Sequence, residues 1–275
     1  MPAGNPRLAA GRARALGLPT RGTTGPNRLR RVDRWMTRTP RVVTALRRAG
    51  DPVIVDLGYG HSPVTTMEMA LRLRSVRDDL RTVGLELAGE RVMAAAHAAD
   101  PPRLVFRRGG FELAGLRPTL IRAFNVLRQY SEADAATAWR ELCARLAPGG
   151  LLVEGTCDEV GRRCCWVLLD ASGPVSFTLA CKPAAIDTPS DLSERLPKAL
   201  IHRNVPGERI HELFGMLDEC WAMAAPHSVF GARARWTESV RLLTTRGWPV
   251  LDGRRRWRLG ELTVPWSAVA PALAD

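Results

Sequence analysis

Val53-Ile54-Val55-Asp56-Leu57-Gly58-Tyr59-Gly60-His61-Ser62-Pro63 is the stretch whose reading decides the fold. A run of branched aliphatic residues reads as a strand buried on both faces, the pattern of a parallel sheet. The strand ends in an acid, glycines follow at alternate positions, and residues 65–76 then read as a helix. Glycine lets the backbone turn sharply and approach a ligand closely. In an open α/β sheet such a turn lies at the carboxyl edge, where ligands bind. A dinucleotide fingerprint needs G-x-G-x-x-G, but position 63 is Pro; a P-loop needs Gly-Lys-Ser/Thr, which is absent.

Working outward, strand and helix alternate. Strands are expected at 82–87, 103–106, 119–124 and 151–156, with helices at 90–99 and from Ser131 to about Leu146. Ser131 with Asp134 three residues on has the form of a capping box, and Pro148-Gly149-Gly150 stops that helix. After the fifth strand the rhythm changes. Residues 164–169 and 175–181 flank Asp170-Ala171-Ser172-Gly173-Pro174 and read as an antiparallel hairpin. Helices are expected from Pro206, with Ile210, Leu213, Phe214, Leu217 and Trp221 on one face, and over 233–245, with one or two strands within 248–264. Ahead of the core, a helix over 28–48 must be interrupted or restarted at Pro40. The expected fold is α/β: a Rossmann-like, doubly wound, mostly parallel sheet with an antiparallel hairpin, a basic N-terminal arm and a C-terminal helical cap. The expected divisions are 1–49, 50–182 and 183–275.

The chain has 275 residues, is 45% apolar and carries a net charge of +12, so it can bury a core and is not a disordered chain. Residues 1–50 contain twelve Arg and one acid, Asp33, and hold nearly all of that excess, +11. Such an arm can neutralise phosphates, so a polyanion contact through residues 1–50 is one reading and an Arg-rich composition bias is the other. No apolar run approaches the roughly 18 residues that span a bilayer. The scattered cysteines (143, 157, 164, 165, 181, 220) show no metal-ligand spacing, so no metal is expected and a reduced, cytoplasmic location is.

The chain resembles the class I S-adenosylmethionine-dependent methyltransferases in three marks. Asp56, Gly58 and Gly60 match the family's first motif, with Ser62 in place of its third glycine. Glu86, within Val83-Gly84-Leu85-Glu86-Leu87, stands where the family's second strand ends in an acid that accepts from both ribose hydroxyls. Pro148-Gly149-Gly150-Leu151-Leu152-Val153 matches its turn into strand five. The resemblance, over about residues 50–182, implies S-adenosyl-L-methionine as cofactor and Asp56, Gly58, Tyr59, Gly60, Ser62, Glu86, Leu87, Gly110, Phe111 and Asn125 as its site. The family's acid after strand three is replaced by Gly110 at the matching position, with Phe111 expected either on the adenine face or in the core. After strand four, Asn125-Val126-Leu127-Arg128 lacks the prolines of the DNA and protein amino-methyltransferases.

Other residues keep two readings. Thr156-Cys157 resembles the nucleophile motif of RNA cytosine-5 methyltransferases, but the Pro-Cys partner motif is missing, and Cys157 also reads as a small residue at a strand end. Glu154, Asp158 and Glu159 are either solvated or available to a general base. His61, in the turn, reads as facing solvent. By exclusion, acceptor contacts are expected from residues 183–247 closing over the cofactor, with His202 as the catalytic candidate or else a structural turn residue. Thr23, Thr24, Asn27, Arg28 and Arg31 are further candidates to fold over the cofactor. The expected activity is methyl transfer to a small molecule or RNA. The alternative is a non-catalytic relative that binds nucleic acid through its arm.

Overall fold

The computed structural model describes residues 24–272. Residues 1–23 of the expected basic arm, Thr23 among them, lie outside the described residues.

An eight-stranded sheet has the order β3-β2-β1-β4-β5-β6-β7-β8. The strands are β1 Val53–Leu57, β2 Arg81–Glu86, β3 Leu104–Arg108, β4 Leu120–Phe124, β5 Leu151–Cys157, β6 Arg163–Asp170, β7 Gly173–Cys181 and β8 Glu261–Pro265. Strands β1 to β5 pair in parallel, and β6, β7 and β8 each pair antiparallel with the preceding neighbour. The first five follow the doubly wound rule, in which the order reverses beside β1 and opens a crevice at the carboxyl edge.

Helices cover both faces. On one, α1 (Arg30–Met36), α2 (Pro40–Arg48) and α3 (Val64–Leu73) bury Val32, Trp35, Leu46 and Met69 against Ile54 and Trp166. The Trp35 and Trp166 rings meet edge to face at 5.5 Å. The helix expected over 28–48 is thus two helices: Thr39 is extended, as the residue before proline prefers, and Pro40 restarts the helix where its missing N–H costs nothing. In chain order α4 (Gly89–Ala95) joins β2 to β3.

The other face carries α5 (Glu132–Ala144), the short α6 (Lys198–Ile201), α7 (Arg209–Met223) and α8 (Ala232–Thr245). The Ser131 side chain accepts from the Asp134 amide, the cap read from the sequence. Ile210, Leu213, Phe214 and Leu217 join Val167, Phe177 and Leu179 in one apolar core. The C-terminal helices therefore cover β6 and β7, strands that no crossover helix covers. A last turn of helix, α9 (Arg254–Trp257), leads into β8. Among the described residues no helix is long and apolar enough to cross a membrane.

Candidate functional site

The carboxyl edge of β1 turns through Gly58 and Gly60, both left-handed at φ 68° and 85°. Side chains other than glycine rarely adopt this backbone, so the turn depends on the two glycines. The Gly58 amide donates to the Leu85 carbonyl at 2.8 Å, and the Gly60 amide donates to Glu86 Oε2 at 3.0 Å. The turn is thereby laid across the end of β2. Glu86 is buried, its Oε1 accepts from the Leu87 amide at 2.9 Å, and Arg91 lies 3.4 Å from its Oε2.

Tyr59 contributes main chain to this edge. Its side chain points away, meets Phe106 edge to face at 5.3 Å and donates from its hydroxyl to the Arg91 carbonyl. Burial, reinforced by Glu86 and Asp56, raises its phenol well above the ordinary range. Gly84 makes this possible, because a Cβ there would stand 2.6 Å from the Phe106 ring. Ser62 and Pro63 lead from the turn into α3, with Ser62 Oγ 3.4 Å from the Val64 amide.

Asp56 is held from inside the protein. Register pairs it with Arg122 on β4, and the guanidinium grips both carboxylate oxygens at 2.9 and 2.6 Å. Thr66 adds a hydrogen bond at 2.6 Å. Arg122 also binds Asp33 of α1 at 2.5 Å, and Arg72 binds Asp33 at 2.6 Å. Burial alone would lower the Arg122 pKa, but the two carboxylates outweigh it and keep the group charged. This buried network ties α1, α3, β1 and β4 together beneath the glycine turn.

Asn125 follows β4 in a left-handed conformation, φ 60°, and its amide donates to the Gly155 carbonyl. Its Oδ1 accepts from the Cys157 amide at 3.0 Å and its Nδ2 lies 3.4 Å from Cys157 Sγ. A hydrogen bond with Cys164, together with the Arg28 charge and Asn125, holds the buried Cys157 thiol below the ordinary range. All six cysteines are free thiols. The fully buried Glu154 lies on the opposite face, and burial pushes it up to about 8 with Trp139 pulling it back; neither of its oxygens completes a hydrogen bond.

A strap of chain closes this edge. Thr24 Oγ1 donates to the Tyr59 carbonyl at 3.2 Å, the Asn27 amide to Glu68, and Arg28 Nε to the Asp158 carbonyl at 2.9 Å. Thr24, Arg28 and Leu29 join Asp56, Gly58, Gly60 and Asn125 around a cleft of only about 30 Å³. Of the expected set, Asp56, Gly58, Tyr59, Gly60 and Asn125 line this cleft, and Glu86 and Leu87 adjoin it through the Gly60 amide.

Gly110 and Phe111 lie beyond β3. Phe111 packs in the core with its ring 5.6 Å from Tyr130, on a separate cavity of about 60 Å³. The Gly110 amide donates to Glu112 Oε1 at 2.8 Å, while Glu112 Oε2 is buried with no partner. Glu112 is thus an acid after strand three that the reading at Gly110 missed, two residues away. Its signal was the Glu ending Gly109-Gly110-Phe111-Glu112.

The C-terminal segment reaches the carboxyl edge within the expected 183–247, at Glu194 and Arg195. The Arg195 carbonyl accepts from Thr156 and the Glu194 carbonyl from Arg128. His202 is exposed at the end of α6, 2.9 Å from Lys198 Nζ, and is not among the residues lining the cleft.

A scan against protein-family models finds no match, and a search of curated proteins finds none. Solved structures do match. They include a sugar N-methyltransferase from Streptoalloteichus, at 16% identity and TM-score 0.35 over 65% of this chain and 71% of that one. Human N-acetylserotonin methyltransferase in complex with SAM matches at 18% and 0.32, over 56% and 42%. A cyclopropane synthase from Mycobacterium tuberculosis matches at 21% and 0.31, over 41% and 40%. The chain spans less than half the length of the last two, and a pericyclic reaction enzyme is also among the matches. The Rossmann-like assignment rests on the sheet itself.

Proposed function

We propose that the chain is an S-adenosylmethionine-dependent methyltransferase whose cofactor lies across the carboxyl ends of β1 and β2. One arrangement carries the reading: the left-handed Gly58–Gly60 turn is pinned to the acid that ends β2. The donor set suits the cofactor. Glu86 offers carboxylate oxygens, which only accept, to the two ribose hydroxyls. Glu112 Oε2, buried and unpartnered, suits an amino-group donor from the adenine. Arg122 holds Asp56, and through it the start of the turn, in place.

When bound, the cofactor supplies an electrophilic methyl group on a sulfonium. The protein then needs to align the acceptor and exclude water. Residues 24–29 are placed to do the second, because they already roof the turn. A cleft of about 30 Å³ is far below the roughly 300 Å³ at which small-molecule sites begin, so this strap must lift for entry. Acceptor choice, small molecule or RNA, falls to the strap and to the Glu194–Arg195 approach.

Calorimetry with S-adenosylmethionine and S-adenosylhomocysteine tests the reading. Both are expected to bind the intact chain and raise its Tm. Glu86→Gln is expected to weaken binding by about 1–3 kcal/mol, the range for a lost hydrogen bond to a charged group or an acceptor left unmatched. No binding of either compound at about 1 mM would overturn it, since ligand at a concentration well below Kd leaves Tm unmoved.

A further inference from the structure

A second, larger cleft lies on the same edge of the sheet. It measures about 770 Å³ and sits between the turn after β7, the start of α8 and the segment of α9. β7 runs parallel to β5, so Lys182 leaves the sheet at the edge that carries the glycine turn. Four strand spacings separate β1 from β7, roughly 19 Å at about 4.8 Å each.

Its lining is strongly basic. Lys182, Arg233, Arg241, Arg254 and Arg258 converge on it from separate segments, with His227 on the rim. Glu238 faces them and is itself bound to Arg241 at 2.5 Å. Among the described residues Lys182, Arg233, Arg254 and Arg258 form no ion pair. Glu238 is held below its ordinary range by the hydrogen bond from Arg241, with the charges of Arg241, His227 and Arg254 acting in the same direction. Phe230 lies on the cleft and is 79% exposed, beside Val229 at 81%. Trp257, also lining it, has an indole N–H with no partner.

Cations continue from this cleft toward the glycine turn. Arg31 donates to the carbonyls of Leu259 and Gly161, each at 3.0 Å, and Arg28 to that of Asp158. A positive groove with an exposed aromatic ring is the combination that binds single strands: charge follows the phosphates and bases stack on the ring. A single nucleotide would use one end of the track and leave the rest unmatched.

We propose that this cleft binds single-stranded nucleic acid, its phosphates on Lys182, Arg233, Arg254 and Arg258 and a base against Phe230. The site does not depend on the methyl-transfer reading, and binding is measured without cofactor, so either can fail alone.

The probe is a fluorescently labelled 15-nucleotide single-stranded RNA of mixed sequence, read by polarisation on the intact chain over a series of salt concentrations. Arg233→Glu with Arg254→Glu is expected to weaken binding at least tenfold more than a matched exposed pair elsewhere, Arg103→Glu with Arg140→Glu. The slope of log K against log salt should shrink by about 1.4, two contacts at about 0.7 each on a single strand. Phe230→Ala should cost about fivefold or more, the low end for loss of one stacked base. Should the charge-reversed pair melt early, Lys182→Ala with Arg258→Ala provides the second reading, expected at threefold or more. Equal losses in both charge-reversed pairs, no binding by the intact chain in about 50 mM salt, or competition by uridine monophosphate at matched nucleotide concentration would each overturn the proposal.

Discussion

The two halves of the sheet solve the same problem in opposite orders. Between β1 and β5 each strand is followed by a helix or turn that returns the chain to the start of the next, so every strand end delivers a turn to the carboxyl edge. Between β5 and β8 the first three strands come in immediate succession, and the helices that cover them follow afterwards. Hairpins bring only alternate turns to that edge. The parallel half consequently crowds its carboxyl edge with mutually satisfied groups, Asp56 with Arg122 and Gly60 with Glu86. The antiparallel half leaves a broad opening whose cations outnumber its one carboxylate, Glu238. Connection order, more than composition, decides which stretch of that one edge is closed and which is open.

The sharpest way to break this comparison is at Arg122. Arg122→Met removes two hydrogen bonds from Asp56 and one from Asp33, leaving charge buried beneath the turn. Breaking a buried pair from one side costs about 3–5 kcal/mol, and adding Asp56→Asn should recover part of it. Denaturant midpoints measure both, and a loss below about 1 kcal/mol would mean that the parallel half does not depend on its internal charge.

A smaller effect is expected at Glu154, on the strand the two halves share. Its carboxyl keeps its proton to about 8 in the folded chain, against an ordinary 4.5. Between those values the unfolded chain has lost the proton and the folded one holds it. Stability from this group is therefore full at low pH and falls as pH rises, by about 1.4 kcal/mol per unit at most. Glu154→Gln should flatten that decline, which Tm measured from pH 5 to pH 8 will show; an unchanged slope would assign it elsewhere. Smallest of all, Arg28→Ala should cost under about 1 kcal/mol of stability, because its carbonyl partners lie near solvent. The same change should tighten S-adenosylmethionine binding by loosening the strap, and weaker binding would make Arg28 part of the cofactor site.

Much of the parallel half was legible in residues 53–63, because buried strands and glycine turns are local signals. The places of Gly58, Gly60 and Glu86 followed from strand ends alone. Arg122 was not legible as the partner of Asp56: its position follows from the β1–β4 register, which joins residues far apart in the chain. Tyr59 stood in the expected site, yet only the space over Gly84 explains why its ring turns away. Phe111 kept two readings that local sequence could not separate, and its ring lies in the core 5.6 Å from that of Tyr130. In the antiparallel half the hairpin and the helix face from Ile210 to Trp221 were periodic and visible. Where those helices dock was not, because an amphipathic face states that it is buried and not against what. An argument by exclusion sent residues 183–247 over the cofactor; much of that segment covers the apolar faces of β6 and β7, and Glu194 and Arg195 within it reach the carboxyl edge.

The pairing of β7 with β8 has a consequence for how the chain folds. Residues 182–260, including every helix of the C-terminal segment, separate the two strands. Closing so long a loop carries an entropy cost that local helices and the β6–β7 hairpin do not meet. During synthesis β7 is therefore a bare sheet margin, with its amides and carbonyls open to strands of other molecules, until β8 emerges and docks. The last strand of the sheet works as a latch, and a chain interrupted before it would retain its core motif while exposing an adhesive edge.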